Sequence, residues 1–177
     1  MRGIDHVNLA VPWQRADEAV LFMTSVFGLC ADSPIEVAGP RGLVRSQVMR
    51  THDGAVRLPL NVAPQVLEEA GMPQHVAFAC SDVVAFARAA RARGLPSLAV
   101  PDNYYDYVAG RFGVDAEMVA ELRELDLLYD RSVDGAFVHF YTRTTGTVFF
   151  EFVQRIGDYD GYGTDNAPVR LAAQRQR

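Results

Sequence analysis

The chain contains the same short pattern twice, and this repeat restricts its fold more than any other feature of the sequence. Residues 3–11 and 73–80 each read as one β-strand with a His-Val pair near its start. An amphipathic helix follows each strand, and we predict these helices over 15–27 and 82–93. A glycine stands just past each helix, where its tolerance of positive φ makes it a common helix stop.

Short runs of alternating side chains follow each helix, and they predict a strand meander in both halves. The predicted strands are 42–49 and 57–62 in the first half and 127–130, 136–142 and 147–154 in the second. The sequence therefore predicts an α+β module used twice within a single domain, 1–177. The predicted parts are module one at 3–65, module two at 73–156 and a C-terminal tail at 157–177. An insert beginning at Pro101 carries a predicted helix at 115–125, and a short final helix is predicted at 168–174.

The composition indicates a globular protein and argues against two classes of partner. The formal net charge is -5, whereas nucleic-acid binders usually carry a basic field. The start of the chain lacks the apolar core of a signal peptide, and no apolar run approaches the ~20 residues that span a bilayer. We therefore expect a cytoplasmic protein without a membrane partner. Cys30 and Cys80 form no CxxC pair, and we expect both to be buried thiols.

The two repeated strands each carry a histidine on a face lined by small or polar groups, because side chains alternate across a strand. His6 shares its face with Asn8 and Ala10, and His75 shares its face with two alanines. Glu151 stands within Val-Phe-Phe-Glu-Phe-Val, where a buried carboxylate is costly unless it is paired or bound to a metal. Two imidazoles and a carboxylate form the facial triad of non-haem iron(II), and they also suit Zn, Mn, Ni or Co. The alternative is two hydrogen-bonded core histidines and a solvent-facing edge glutamate.

Two further histidines are weaker candidates for a functional role. His139 lies one predicted strand before Glu151, and it could be a fourth ligand, a proton donor or a packed residue. His52 lies in a predicted turn, and we expect it to be exposed. The sequence shows neither a glycine-rich phosphate loop nor a nucleophile elbow.

Ordered motifs along nearly the whole chain carry a family resemblance. They include Asp5-His6-Val7, Gln74-His75-Val76-Ala77, Phe149-Phe150-Glu151, and Gly161-Tyr162-Gly163 with Asn166. They resemble the vicinal-oxygen-chelate superfamily, and within it the C-terminal, iron-binding half of 4-hydroxyphenylpyruvate dioxygenase. The resemblance implies paired βαβββ modules forming a curved, mostly antiparallel sheet around a metal-binding cleft. It also implies one divalent metal, with Fe(II) favoured over Mn, Co, Ni, Mg or Zn, bound by His6, His75 and Glu151.

The resemblance further implies a substrate pocket that differs from the one in the dioxygenase. The positions that match pocket residues of the family are Ser46, Asn61, Gln74 and Phe149. His139 stands where the family has glutamine, which makes it the candidate catalytic residue. Tyr141 and Tyr162 stand where the family has phenylalanine, and Ala167 replaces another phenylalanine. Because aromatic packing is lost and polar donors are gained, we expect a smaller or more hydroxylated ligand than 4-hydroxyphenylpyruvate.

Three functions are compatible with these residues. The first is a dioxygenase-type enzyme that acts on a small keto acid and uses O2. The second is a non-oxidative lyase or isomerase with His139 or Glu151 as base. The third is a binding domain that keeps its metal without turnover. The segment Phe140-Tyr141-Thr142-Arg143 looks more like domains fused behind a sugar-phosphate-isomerase-like barrel, in proteins resembling bacterial 3-dehydroshikimate dehydratase. Such a fusion, or a homodimer, is the expected assembly.

Overall fold

The computed structural model describes residues 1–39, 42–63 and 73–174, and it confirms the predicted α+β class. A strand is followed by a helix twice in the described chain, over 3–25 and over 73–92, as the repeated pattern requires. In chain order the elements are β1 Gly3–Pro12, α1 Ala16–Ser25, β2 Cys30–Ala31, β3 Ile35–Gly39, β4 Gly42–Arg50, β5 Arg57–Ala63, β6 Pro73–Ala79, α2 Val83–Ala92, α3 Asp102–Phe112, α4 Ala116–Glu124, β7 Leu128–Arg131, β8 Gly135–Tyr141, β9 Phe149–Gly157 and α5 Ala167–Ala173.

The chain divides into two compact units. The N-terminal unit consists of residues 4–77 and 145–149, and the C-terminal unit consists of residues 1–3, 78–144 and 150–177. Strands β6 and β9 each contribute residues to both units.

The N-terminal unit contains strands in the order β2-β4-β5-β1-β6, with β3 paired to β4. Strand β1 runs parallel to β5, which places Ala10 beside Asn61, and β4 runs antiparallel to β5. One face of these strands packs against α1 and holds an apolar core of Val11, Ala16, Leu29, Met49, Leu60 and Val62. Leu9 and Val11 of β1 contribute to this core, so by strand alternation His6 and Asn8 lie on the opposite face.

The C-terminal unit contains strands in the order β6-β9-β8-β7, with antiparallel pairing between β9, β8 and β7. Asp82 is the N-cap of helix α2, and its carboxylate accepts a hydrogen bond from the Ala85 amide at 2.8 Å. Aromatic side chains fill the space between this helix and the strands, and the rings of Phe86 and Phe152 have centroids 4.5 Å apart. Among the described helices, none has the length and apolar character required to cross a membrane.

Strands β8 and β9 approach each other closely at one end of their pairing. Gly135 lies opposite Gly157, and a Cβ atom added at Gly135 would lie 2.0 Å from the carbonyl oxygen of Ile156. The approach of the two backbones therefore requires glycine at this position.

The predicted repeat of strand and helix is confirmed, but several elements were not predicted. The insert after Pro101 contains α3 as well as the predicted α4. Helix α3 begins Asp-Asn-Tyr-Tyr-Asp, a sequence of weak helix formers, and burial of Tyr104, Tyr105 and Val108 stabilises it instead. The short edge strands β2 and β3 were also missed, because runs this short carry little periodicity.

Candidate metal centre

Two buried imidazoles meet in the N-terminal unit. His6 on β1 and His75 on β6 are 3% and 4% exposed, and their Nε2 atoms lie 3.3 Å apart. Two nitrogen ligands bound at right angles, each at ~2.1 Å from a metal, would be ~3 Å apart, so the pair fits adjacent coordination positions. Phe149 stacks on His75 with ring centroids 4.8 Å apart, which fixes the plane of that imidazole.

The carboxylate of Asp5 orients the imidazole of His6 through a hydrogen bond to Nδ1. His6 Nδ1 donates to Asp5 Oδ1 at 2.8 Å, so the proton resides on Nδ1 and Nε2 presents its lone pair. This is the outer hydrogen bond that orients most metal-binding histidines in proteins. Sequence reasoning did not assign Asp5 a role, because neighbouring residues in a strand point to opposite faces.

Glu151 on β9 is 1% exposed, so it is a buried carboxylate and not a solvent-facing one. One ligand atom from each of His6, His75 and Glu151 lies within 4.8 Å of the others. Among the described residues, these three side chains form the one cluster of at least three His, Cys, Asp or Glu residues that could hold a metal ion. These are the three residues that the sequence predicts as metal ligands.

His139 supports Glu151 from the neighbouring strand β8. Its Nδ1 donates to Glu151 Oε1 at 2.6 Å, and its Nε2 accepts a hydrogen bond from Asn166 Nδ2 at 3.0 Å. An imidazole nitrogen that accepts carries no proton, so the proton of the neutral ring is on Nδ1. The structure therefore places His139 as a buried donor to the carboxylate.

The orientation of Asn166 follows from its other contacts. Its Nδ2 also donates to the backbone carbonyl of Tyr129 at 3.2 Å, and its Oδ1 accepts from the Tyr104 hydroxyl at 2.9 Å. Burial raises the pKa of Tyr104, so its hydroxyl keeps the proton it donates. The sequence indicates Asn166 only as part of a tail motif. No local pattern reveals its hydrogen bonds, because they are made with residues far away in the sequence.

Tyr141 lies directly opposite Glu151 in the β8–β9 pairing and hydrogen-bonds to it. Burial raises the pKa of Tyr141 well above its usual value, and the nearby charge of Glu151 raises it further. The residue is therefore a neutral phenol that donates to the carboxylate. Sequence reasoning assigned it to substrate binding, and its bond to Glu151 is a contact that reasoning did not foresee.

Three of the predicted substrate-binding residues lie in the N-terminal unit, which also contains His6. Ser46 lies opposite Asn61 in the β4–β5 pairing, and Asn61 Nδ2 donates to Gln74 Oε1 at 3.0 Å. This bond joins side chains from β5 and β6, which flank β1, and the small side chain of Ala10 between them leaves room for it. We call the set of His6, Asn8, Ser46, Asn61 and Gln74 the polar face.

The remaining predicted residues have simpler surroundings. Tyr162 is partly buried in the C-terminal unit, where the guanidinium carbon of Arg155 lies 5.3 Å from its ring centroid. His52 is exposed, as expected, and its Nε2 lies 3.3 Å from Cys30 Sγ. Cys80 is buried as expected, whereas Cys30 is only partly buried, because its short strand lies at the edge of the pairing.

Comparison with known proteins relates this centre to a family. A 3-dehydroshikimate dehydratase of Pseudomonas putida is 40% identical, and the match covers 98% of this chain but 29% of that protein. A 4-hydroxyphenylpyruvate dioxygenase of a Pseudomonas species is 31% identical over 94% of this chain and 51% of its own length. A solved xylose isomerase-like TIM barrel/4-hydroxyphenylpyruvate dioxygenase fusion protein is 38% identical with a TM-score of 0.86, covering 98% of this chain and 29% of that one.

The chain thus spans less than a third of the length of two of these proteins and about half of the third. A family model described as the Glyoxalase/Bleomycin resistance protein/Dioxygenase superfamily matches residues 3–117. That match covers more than half of the chain and includes both histidines of the centre. This chain is a member of the Glyoxalase/Bleomycin resistance protein/Dioxygenase superfamily.

Proposed function

We propose that the chain is a metal-dependent enzyme that binds one divalent ion, Fe(II) in the first instance, through His6, His75 and Glu151. The observation that supports this most directly is the approach of these three buried ligand atoms to within 4.8 Å of one another. A divalent cation between two imidazoles and a carboxylate would compensate the buried negative charge of Glu151. Two nitrogen ligands and one oxygen ligand leave coordination positions open for a substrate.

The proposal assigns a role to the metal ion and to the side chains around it. A bound divalent ion supplies Lewis acidity toward a chelated carbonyl and, if it is iron, reactivity toward O2. Asp5 holds His6 with its Nε2 lone pair facing inward, while His139 and Tyr141 donate hydrogen bonds to the side chain of Glu151. Ser46, Asn61, Gln74, Phe149 and Tyr162 are the proposed substrate-binding residues.

The proposed reaction is of dioxygenase type on a small keto acid or another ligand with vicinal oxygens. Support comes from the relative named 4-hydroxyphenylpyruvate dioxygenase and from the fusion protein whose description includes that enzyme. The polar side chains of Ser46, Asn61 and Gln74 support a ligand richer in hydrogen-bonding groups than a phenyl ring.

A second candidate is non-oxidative chemistry at the same metal, such as dehydration or isomerisation. It is favoured by the 40% and 39% identical Pseudomonas relatives, which are named 3-dehydroshikimate dehydratase, although the chain spans only 29% and 30% of them. In this case Glu151, or His139 acting through it, would serve as the base. Oxygen consumption separates the two candidates.

The first experiment measures metal loading of the purified protein and of two variants, His75→Ala and Glu151→Gln. Removal of one of three ligands is expected to weaken binding of Mn(II) or Co(II) at least about tenfold. His52→Ala is the matched control, since His52 is exposed. An oxygen electrode then tests the loaded protein with a panel of keto acids. Stoichiometric loading of both variants at wild-type affinity would refute the proposed centre.

A further inference from the structure

Asn8 occupies a position on the polar face that the proposed function does not use. It lies on β1 two residues beyond His6, so both side chains point to the same side of the strand. Its neighbour on the same face is Ala10, which lies beside Asn61. Residues two apart in a strand are about 7 Å apart, a distance that one small molecule can bridge.

The side-chain carbonyl of Asn8 is buried without a hydrogen-bond partner. Asn8 is 4% exposed, and its Oδ1 accepts no hydrogen bond from any residue in the described part of the chain. Such a group costs free energy in a folded protein, because it has lost water and gained nothing in exchange. Most buried polar groups avoid this cost, so an exception needs an explanation.

Asn166 is a buried asparagine whose side-chain amide has a complete set of hydrogen bonds, and it can be compared with Asn8. Both ends of the Asn166 amide are bonded, to His139 and Tyr129 at the nitrogen and to Tyr104 at the oxygen. The nitrogen of Asn61, which is partly buried, is bonded to Gln74. By contrast, Oδ1 of Asn8 accepts no hydrogen bond within the described part of the chain, and His6 lies two residues before it on β1.

We propose that Asn8 is a specificity-determining residue whose Oδ1 accepts a hydrogen bond from the ligand. An amide oxygen can only accept, so the group it recognises must be a donor, and on a small oxygen-rich acid that donor is a hydroxyl. The ligand class is therefore a hydroxylated organic acid whose hydroxyl lies beyond the oxygens that chelate the metal. This inference rests on the proposed metal centre, and it names the substrate class of that same site.

The test compares the wild type with Asn8→Leu, which has nearly the same shape and no polar atom. Binding to Mn(II)-loaded protein without O2 is measured by calorimetry for two matched pairs of probes. The pairs are pyruvate with 3-hydroxypyruvate and phenylpyruvate with 4-hydroxyphenylpyruvate. In at least one pair the wild type should bind the hydroxylated member about tenfold more tightly, as expected for one hydrogen bond to an otherwise unpaired buried group.

In Asn8→Leu that preference should disappear while Mn(II) affinity stays within about twofold of the wild type. The melting temperature of the metal-free variant should not fall, because an unpaired buried carbonyl has been replaced by an apolar group. Asn103→Leu, an exposed position on α3, is the matched control and should keep the preference. If Asn8→Leu folds poorly, Asn8→Ala serves for the same comparison.

Two outcomes would overturn the role of Asn8 alone: equal binding within both pairs by the wild type, or an unchanged preference in the variant. Failure of the wild type to bind Mn(II) has a different meaning, because it would overturn the metal centre and the inference with it. The metal titration, carried out first, distinguishes the two failures.

Discussion

Replacing Asp5 with asparagine tests whether the carboxylate behind His6 tunes the metal centre. The side chains of His6 and Asp5 are 3% and 8% exposed, and the bond between Nδ1 and Oδ1 is 2.8 Å long. Asparagine keeps a carbonyl oxygen that can accept from Nδ1, so the variant preserves the tautomer and removes only the negative charge. The expected result is weaker metal binding in a protein that still folds.

The size of this effect follows from the kind of hydrogen bond that is changed. A hydrogen bond to a charged group contributes about 1.5–3 kcal/mol, and one between neutral groups contributes about 0.5–1.5 kcal/mol. The difference of about 1–1.5 kcal/mol corresponds to a roughly tenfold weaker affinity. Little of this is lost to solvent screening, since both groups are buried. Asp5→Leu, which removes the acceptor as well, should weaken binding about a hundredfold.

The assay is a Co(II) or Mn(II) titration at constant pH, with unfolding of the metal-free protein measured in parallel. Asp17→Asn is the control, because Asp17 is exposed on α1 and its replacement changes the net charge by the same amount. An affinity of Asp5→Asn within twofold of the wild type would refute the reasoning. So would an equal loss in Asp17→Asn, which would indicate an effect of overall charge.

Three further predictions concern the supports of the fold and of the site. Asn166→Leu removes the donor to His139 and should lower the free energy of unfolding by about 1–3 kcal/mol in urea denaturation; an unchanged value would contradict the described network. Gly135→Ala should lower the melting temperature, because its Cβ would meet the Ile156 carbonyl at 2.0 Å, whereas Gly110→Ala in α3 has open space and should not lower it. Besides Tyr141, burial raises the pKa of three tyrosines, so stability should be retained below the unfolded-state pKa of about 10 and lost as the pH rises beyond it. The three residues are Tyr104, Tyr105 and Tyr159. A pH titration followed by absorbance at 295 nm should show that they ionise together with unfolding and not before it.

The parts of the fold that the sequence predicts are those with local signals. The two strand–helix repeats follow from side-chain periodicity, from glycines past the helix ends and from the Asp82 cap. Helix α3 was missed because its residues are weak helix formers and its stability comes from tertiary packing. No periodicity in the sequence reports that kind of contact.

The candidate centre shows the same division between local and long-range information. His6, His75 and Glu151 could be selected because polar groups within apolar strands are unusual and need a reason. Asp5 was missed because strand alternation points it away from its neighbour, although its side chain reaches Nδ1 of that histidine. Strand alternation correctly predicts that Asn8 shares a face with His6. The sequence does not predict that Oδ1 of Asn8 lacks a hydrogen-bond partner among the described residues.

The hydrogen bonds behind Glu151 also constrain where protons can travel. His139 gives its Nδ1 proton to the carboxylate, and its other nitrogen is occupied by the amide of Asn166. A carboxamide is neither an acid nor a base near neutral pH, so Asn166 cannot replace a proton that leaves His139 for Glu151. Any acid–base step at this centre must therefore exchange its proton with the substrate or with water.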